Sequence, residues 1–99
     1  MIEEKDPINS AVLVSKRSRL EIYLDVLQAI ANGTSKATRI MYSANLSWKP
    51  LKETLTFLTE KGLIEVKKSR KSKRYYITPK GLRVLEYFKK LQEKIFSSS

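Results

Sequence analysis

The sequence predicts an α+β fold in which three helices precede a two-stranded hairpin and an added helix follows it. Between Ser18 and Lys61, three segments carry apolar residues at the three- and four-residue spacing of helices that bury one side. Residues 63–77 then change to two short β-branched and aromatic runs around a polar turn, a pattern that is typical of a hairpin. From Thr78 to Phe96 the helical spacing returns.

The composition excludes several classes of protein. A chain of 99 residues is long enough for one domain with a modest core. It contains no cysteine and no histidine, which excludes disulfides, thiolate zinc sites and the commonest catalytic base. It also has no nucleophile–base pair, glycine-rich phosphate loop or metal-ligand spacing, so we expect neither an enzyme nor a cofactor or metal site. No apolar run suits a transmembrane helix or a signal peptide, and we expect a cytoplasmic protein with no membrane partner.

The charge of the chain is large and unevenly distributed. Its 20 basic and 10 acidic residues give a net charge of +10. Residues 62–79 contain six basic side chains and one acid, Glu65, for a net charge of +5, which is half of the excess. Such a charge indicates a polyanionic partner, nucleic acid first and an anionic membrane surface second. The hairpin lacks the interleaved large apolar residues of a membrane-binding segment, so the membrane ranks last.

The first two helices have recognisable boundaries. Ser18 caps the first helix and Glu21 completes a capping box, while Asn32-Gly33 ends the helix after Ala31. A shorter helix follows, with Thr34 or Ser35 as the expected cap. The residues expected to face inward are Leu20, Ile22, Tyr23, Leu24, Val26, Leu27, Ile30 and Ala31, and then Ala37, Ile40, Met41 and Ala44.

The third helix is predicted from Ser47 to Lys61. Ser47 is its expected N-cap, Pro50 falls in the first turn, where its missing N–H costs no hydrogen bond, and Gly62 follows the last turn. The buried side carries Leu51, Leu55 and Leu58, and the opposite side carries Lys49, Lys52, Glu53, Thr56 and Thr59. A short helix, a tight turn and a longer helix form a helix-turn-helix, whose second helix suits a DNA major groove. The alternative is an ordinary amphipathic helix with a solvated face.

The hairpin and the last helix extend this pattern. A basic hairpin directly after a helix-turn-helix is typical of a DNA-binding wing, although basic loops are often only solvated. Thr78 and Pro79 start the last helix. Its apolar stripe consists of Val84, Leu85, Phe88, Leu91 and Ile95. The far end has no obvious partner within one small domain, so a homodimer interface is expected at Val84, Phe88, Leu91 and Ile95. The alternative is that this helix folds back on the first and buries the stripe internally.

Four segments carry a family resemblance. They are residues 17–22 (Arg-Ser-Arg-Leu-Glu-Ile), 38–49 (Thr-Arg-Ile-Met-Tyr-Ser-Ala-Asn-Leu-Ser-Trp-Lys), 58–64 (Leu-Thr-Glu-Lys-Gly-Leu-Ile) and 76–81 (Tyr-Ile-Thr-Pro-Lys-Gly). Together they resemble an archaeal winged helix-turn-helix family of small predicted transcriptional regulators, which looks related to chromatin-associated DNA-binding proteins. The resemblance implies dimerisation through a C-terminal antiparallel coiled coil, for which the helix of this chain is short.

The leading hypothesis is double-stranded DNA binding by a transcriptional regulator or nucleoid-associated protein. The alternative is a winged-helix module for protein–protein interaction in the transcription machinery. The candidate DNA-binding residues are Ser47, Trp48, Lys49, Lys52 and Thr56 in the third helix, Ser35 and Lys36 at the second, and Ser69, Arg70, Lys71, Ser72 and Lys73 in the wing. Trp48 is equally expected to pack against the preceding helix. We divide the chain into a poorly ordered extension (1–16), the winged domain (17–79) and the C-terminal helix (80–99); the residues indicate no effector ligand.

Overall fold

A computed structural model describes residues 17–96 of the chain. The elements are α1 (Arg19–Ala31), α2 (Ala37–Ser43), α3 (Trp48–Glu60), β1 (Ile64–Lys68), β2 (Lys73–Ile77) and α4 (Pro79–Phe96). This order confirms the predicted arrangement of three helices, a hairpin and an added helix. The expectations for residues 1–16 and 97–99 lie outside the described residues.

The boundaries of α1 follow from its end residues, as predicted. The Glu21 amide donates to the Ser18 hydroxyl oxygen at 3.1 Å, and the Ser18 amide donates to the Glu21 carboxylate at 2.8 Å, which completes the capping box. The hydrogen bond from the Ser18 amide stabilises the charged Glu21 carboxylate and is the main reason that the pKa of Glu21 lies below its ordinary value. After the helix, Gly33 has a φ of +99°, a backbone conformation that residues other than glycine rarely adopt.

One hydrophobic core joins the three helices, the hairpin and the first half of α4. Its buried members are Val26, Leu27, Ala29, Ile30, Ile40, Ala44, Leu51, Leu55, Leu58, Ile64 and Leu85. The predicted inward position of Leu20 is wrong, because this side chain is 47% exposed. Residues in the first turn of α1 are exposed and those in its last turns are mostly buried. Leu20 is in the first turn, which the other elements of the fold do not cover. Ala29, which the prediction omitted, is buried among them.

The caps of α2 and α3 differ from the prediction. Lys36 is the N-cap of α2, in place of the two hydroxyl residues before it, and it makes no side-chain capping bond. Ser35 instead contacts the hairpin: its carbonyl oxygen accepts from the Tyr75 amide at 2.9 Å, and its hydroxyl accepts from Arg74 Nη1 at 3.3 Å. Ser47 is the N-cap of α3, as predicted, but its hydroxyl makes no capping bond.

Arg17 fixes the turn between α2 and α3. The turn contains Asn45 at a φ of +55°, a left-handed conformation that asparagine tolerates better than most residues. Arg17 Nη2 donates to the carbonyl oxygens of Ala44 at 2.8 Å and Asn45 at 3.0 Å. Arg17 Nη1 donates to Asp25 Oδ2 in α1 at 2.6 Å. One guanidinium therefore ties α1 to the segment from which α3 departs.

The hairpin presents two different faces. β1 and β2 pair antiparallel, with Val66 opposite Tyr75 and Lys67 opposite Arg74. Because side chains alternate along a strand, Tyr75 and Lys73 lie on the face that turns toward α3, whereas Arg74 lies on the other face. The bond from the Tyr75 amide to the Ser35 carbonyl oxygen means that β2 has neighbours on both of its edges.

The first turn of α4 lies close to the link between α3 and β1. The Gly81 amide donates to the Thr78 hydroxyl at 3.0 Å, which confirms the cap, and Pro79 is the first helical residue. A Cβ at Gly81 would lie 2.1 Å from the Leu63 carbonyl oxygen. The absence of a side chain at Gly81 is therefore what permits this close approach.

The second half of α4 extends past the core. Leu85 is 5% exposed and joins the core, whereas Leu91 is 39% and Ile95 63% exposed. The alternative of a stripe buried on α1 along its whole length is therefore not what the structure shows. Within residues 17–96, none of the helices is both long and apolar enough to cross a lipid bilayer.

Candidate functional site

The core holds α3 with its polar side outward. Leu51, Leu55 and Leu58 are buried, as predicted, together with Thr54. Tyr23 of α1 stacks on Phe57 of α3, with ring centroids 4.5 Å apart. Packing along the whole buried side fixes both the direction of α3 and its rotation about its axis.

The outward side of α3 carries the predicted contact residues. Ser47, Lys49, Lys52 and Thr56 are exposed, so the structure leaves them accessible to a partner. Thr59 differs, because its hydroxyl donates to the Leu55 carbonyl oxygen at 2.7 Å within the same helix. The predicted contact residues that the structure leaves accessible therefore lie between Ser47 and Thr56.

A cleft between α3 and the hairpin brings several predicted residues together. We name it the α3–wing cleft; it has a volume of about 330 Å³. The residues that line it are Ala37, Trp48, Lys52, Leu55, Thr56, Thr59, Glu60, Val66, Lys68, Lys73 and Tyr75. Three lysines and one glutamate give this lining a positive charge. Trp48 reaches the cleft beside Ala37 of the preceding helix but remains 52% exposed, so both proposed roles are compatible with its position.

The tip of the hairpin is a short turn closed by two serines. The Ser69 amide donates to the Ser72 carbonyl oxygen at 2.8 Å, and the two hydroxyl oxygens lie 2.9 Å apart. Arg70 and Lys71 lie between them and are exposed. The serines therefore shape the turn, whereas the two cations project from it.

Ser35 and Lys36 lie in a different place from the other predicted residues. They line a cleft between α2 and the other face of β2, which we name the α2–β2 cleft. Its lining consists of Asn32, Gly33, Thr34, Ser35, Lys36, Arg39, Tyr42 and Arg74. The prediction missed Arg39 and Arg74. Arg39 lies three residues after Lys36, so helical spacing alone could have predicted that the two side chains share one side of α2. The face on which Arg74 lies could be assigned only from the register of the hairpin.

The chemistry of both clefts is that of cation-rich, open binding surfaces. Within the described residues, no group of three or more His, Cys, Asp or Glu side chains could hold a metal ion. Burial raises the pKa of Tyr75 in the α3–wing cleft, so its phenol, which is neutral near pH 7 in any case, stays a hydrogen-bond donor to still higher pH. The arrangement suits the binding of a polyanion by side-chain donors.

Comparisons with known proteins agree with this geometry. The winged helix-turn-helix family matches residues 16–96. An uncharacterized protein of Methanocaldococcus jannaschii is 33% identical over 94 residues, which are 94% of this chain and 42% of that protein. A second protein of that organism matches over 57% of its own length, so the chain spans about half the length of the curated relatives it matches.

Solved structures show the same fold. Sso10a-2, a DNA-binding protein from Sulfolobus solfataricus, is 28% identical with a TM-score of 0.67, over 83% of this chain and 88% of that one. MarR of Staphylococcus aureus, in a complex with salicylate and kanamycin, is 25% identical with a TM-score of 0.64, over 78% of this chain and 57% of that one. The family match over residues 16–96 includes the helix-turn-helix and the hairpin, where the candidate DNA-binding residues lie.

Proposed function

We propose that the chain, which belongs to the winged helix-turn-helix family, binds double-stranded DNA as a transcriptional regulator or nucleoid-associated protein. One observation carries this proposal: the exposed polar side of α3 and the basic hairpin flank the same cleft. An exposed helix beside a cationic hairpin can contact base edges and phosphates at the same time. The DNA-binding description of Sso10a-2, at 28% identity, supports the proposal.

The proposed mode places α3 in the major groove. A groove about 12 Å wide admits one helix, whose exposed side chains then reach the base edges. In this mode the exposed residues Ser47, Lys49, Lys52 and Thr56 would reach the base edges, and Trp48, which lines the α3–wing cleft, would contact the sugar–phosphate backbone. Their accessibility in the structure supports these roles.

The wing contributes cations to the backbone. Arg70, Lys71 and Lys73 are exposed along the tip and the second strand, and Ser69 and Ser72 hold the turn that presents them. Phosphate contacts of this kind fix the orientation of the protein and carry little sequence information. We assign affinity mainly to the wing and selectivity mainly to α3.

A homodimer through α4 is part of the proposal. Beyond the core, α4 exposes Leu91 and Ile95, and Val84 and Phe88 continue the same side toward the domain. Pairing two such helices would remove this apolar surface from water. A two-fold dimer would also present two α3 helices to major grooves about 34 Å apart on one face of B-DNA.

Duplex titration at several salt concentrations tests DNA binding. If the protein neutralises about four to six phosphates per subunit, the logarithm of affinity should fall with the logarithm of salt at a slope near −0.9 per contact. The measurement is fluorescence anisotropy of a labelled random-sequence duplex from low to physiological salt. Absence of binding at low salt would refute the proposal and favour the protein–protein interaction module.

Matched variants separate the wing from α3. Lys71→Ala with Lys73→Ala should weaken binding to every duplex about equally, because these lysines contact phosphates. Lys49→Ala or Thr56→Ala should change the preference between a selected and a scrambled site by about 1–3 kcal/mol, if a base edge is contacted. Uniform effects from all the variants would indicate an architectural protein without sequence selectivity.

A further inference from the structure

The α2–β2 cleft lies on the opposite face of β2 from the α3–wing cleft and has a cationic lining of its own. We propose that it is a binding site for a phosphate group, held by Arg74 with Lys36 and Arg39. The proposal adds two residues, Arg39 and Arg74, that a groove contact by α3 does not require.

Arg74 supplies the observation that points to a ligand. Its Nη1 atom donates to the Ser35 hydroxyl at 3.3 Å, which holds the guanidinium in place. Its Nε atom is buried and has no hydrogen-bond partner among the residues that the structure describes. A buried donor without an acceptor is unfavourable, and a small rotation of the Arg74 side chain toward the cleft would let an anionic oxygen accept from Nε and remove that cost. The planar fork of a guanidinium matches two oxygens of a phosphate.

The other cations converge on the same cleft. Lys36 and Arg39 are three residues apart, which places them on one side of α2, and both are exposed toward the cleft. The described residues that line the cleft include no acidic side chain, so three positive charges face it without a neutralising carboxylate. A volume of about 900 Å³ accommodates a phosphate together with the sugars that flank it.

Two sources could supply this phosphate. The first helix of a helix-turn-helix crosses the DNA backbone, which would bring a phosphate next to the groove toward Lys36 and Arg74. In this form the inference rests on the proposed function. A free phosphorylated ligand could occupy the same site without DNA, and then the inference does not depend on DNA binding.

The side-chain signal of Arg74 gives a direct test. In nitrogen-15-labelled protein, the Nε–Hε resonance of Arg74 is followed while inorganic phosphate, and separately a random-sequence duplex, is added at constant ionic strength. We expect one of them to shift this resonance saturably, while the Nε–Hε resonance of Arg83, on the exposed side of α4, moves little with inorganic phosphate. Arg74→Lys keeps the charge but loses the fork, and it should weaken binding about tenfold. Arg83→Lys, at an exposed position of α4, is the matched control and should change phosphate binding little.

The outcomes distinguish the two sources and the two proposals. A shift of the Arg74 resonance that the duplex causes, and that is lost when neutral methylphosphonates replace backbone phosphates of the duplex, identifies the DNA backbone as the source. Saturation by inorganic phosphate without a duplex effect identifies a free ligand. If neither moves the Arg74 signal, the site is refuted even when the duplex binds elsewhere. If phosphate binds but no duplex does, the site stands and the proposed function fails. The titration of the parent protein decides these outcomes even if Arg74→Lys does not fold.

Discussion

Replacing Gly81 by alanine tests how closely α4 is held to the rest of the domain. At an ordinary helix position this change would stabilise the protein by about 1 kcal/mol, because glycine has the lower helix propensity. Here the new Cβ would lie 2.1 Å from the Leu63 carbonyl oxygen and 2.8 Å from Ile77 Cγ1. Since a carbon and a carbonyl oxygen rest about 3.3 Å apart, α4 would have to move away by about 1 Å.

That displacement acts on bonds at the same junction. The Thr78 amide donates to the Leu63 carbonyl oxygen at 3.1 Å, and the Thr78 hydroxyl donates to the Gly62 carbonyl oxygen at 2.7 Å. Losing both would cost about 1–3 kcal/mol, and overpacking adds about 1–3 kcal/mol. After the gain of about 1 kcal/mol in helix propensity, we expect Gly81→Ala to lose about 1–5 kcal/mol of stability. For a domain of this size, each 1 kcal/mol lowers Tm by about 4–8 °C.

Thermal unfolding followed by circular dichroism measures this effect. Arg83→Ala, an exposed change two residues along α4, is the control and should stay within about 0.5 kcal/mol of the parent. Gly62→Ala provides a contrast, because an alanine there meets no atom within 4 Å but must adopt a φ of +73°, which costs about 1–2 kcal/mol. A Gly81→Ala variant with an unchanged or higher Tm would refute the close approach of α4.

Three further changes test the capping box, the Arg17 contacts and the proposed dimer. Ser18→Ala should cost about 1 kcal/mol in thermal unfolding. NMR titration of this variant should show a higher pKa for Glu21, because the Ser18 side chain is one of the causes that lower it. In the parent protein, the stability that comes from the lowered pKa is present above the ordinary glutamate range and is lost as pH falls through the lowered pKa. Arg17→Met should cost about 2 kcal/mol through two lost bonds to carbonyl oxygens, because its partly exposed ion pair adds little. Leu91→Glu with Ile95→Glu should give a folded monomer in sedimentation, and a parent that is itself monomeric at tens of micromolar would refute the dimer.

The sequence alone predicted the features that depend on neighbouring residues. The Ser18–Glu21 capping box, the glycine after α3 and the Thr78-Pro79 start of α4 each involve groups a few residues apart. The buried side of α3 was predicted because a helical stripe is set by spacing alone. For the same reason, the exposed residues of α3 and the basic hairpin could be named before the structure was known.

Features that join distant parts of the chain were not predicted. Arg17 bonds Asn45 28 residues away, and Arg74 bonds Ser35 39 residues away, so no local spacing indicates either contact. Ser35 looked like a helix cap because its hydroxyl precedes α2, but β2 provides a competing donor. The face of Arg74 depends on the parity of the strand register, since a shift by one residue would exchange it with Lys73.

The junction between α3 and α4 links the two parts of the proposed function. Three successive carbonyl oxygens after α3 accept bonds from the start of α4: Lys61 from Lys80 Nζ at 2.9 Å, Gly62 from the Thr78 hydroxyl and Leu63 from the Thr78 amide. These bonds hold the direction of α4 relative to α3 without a flexible linker. If two α4 helices pair, the separation of the two α3 helices is therefore set by this junction and by the pairing register. The spacing of the two DNA contacts then follows from the packing of α4 on the domain.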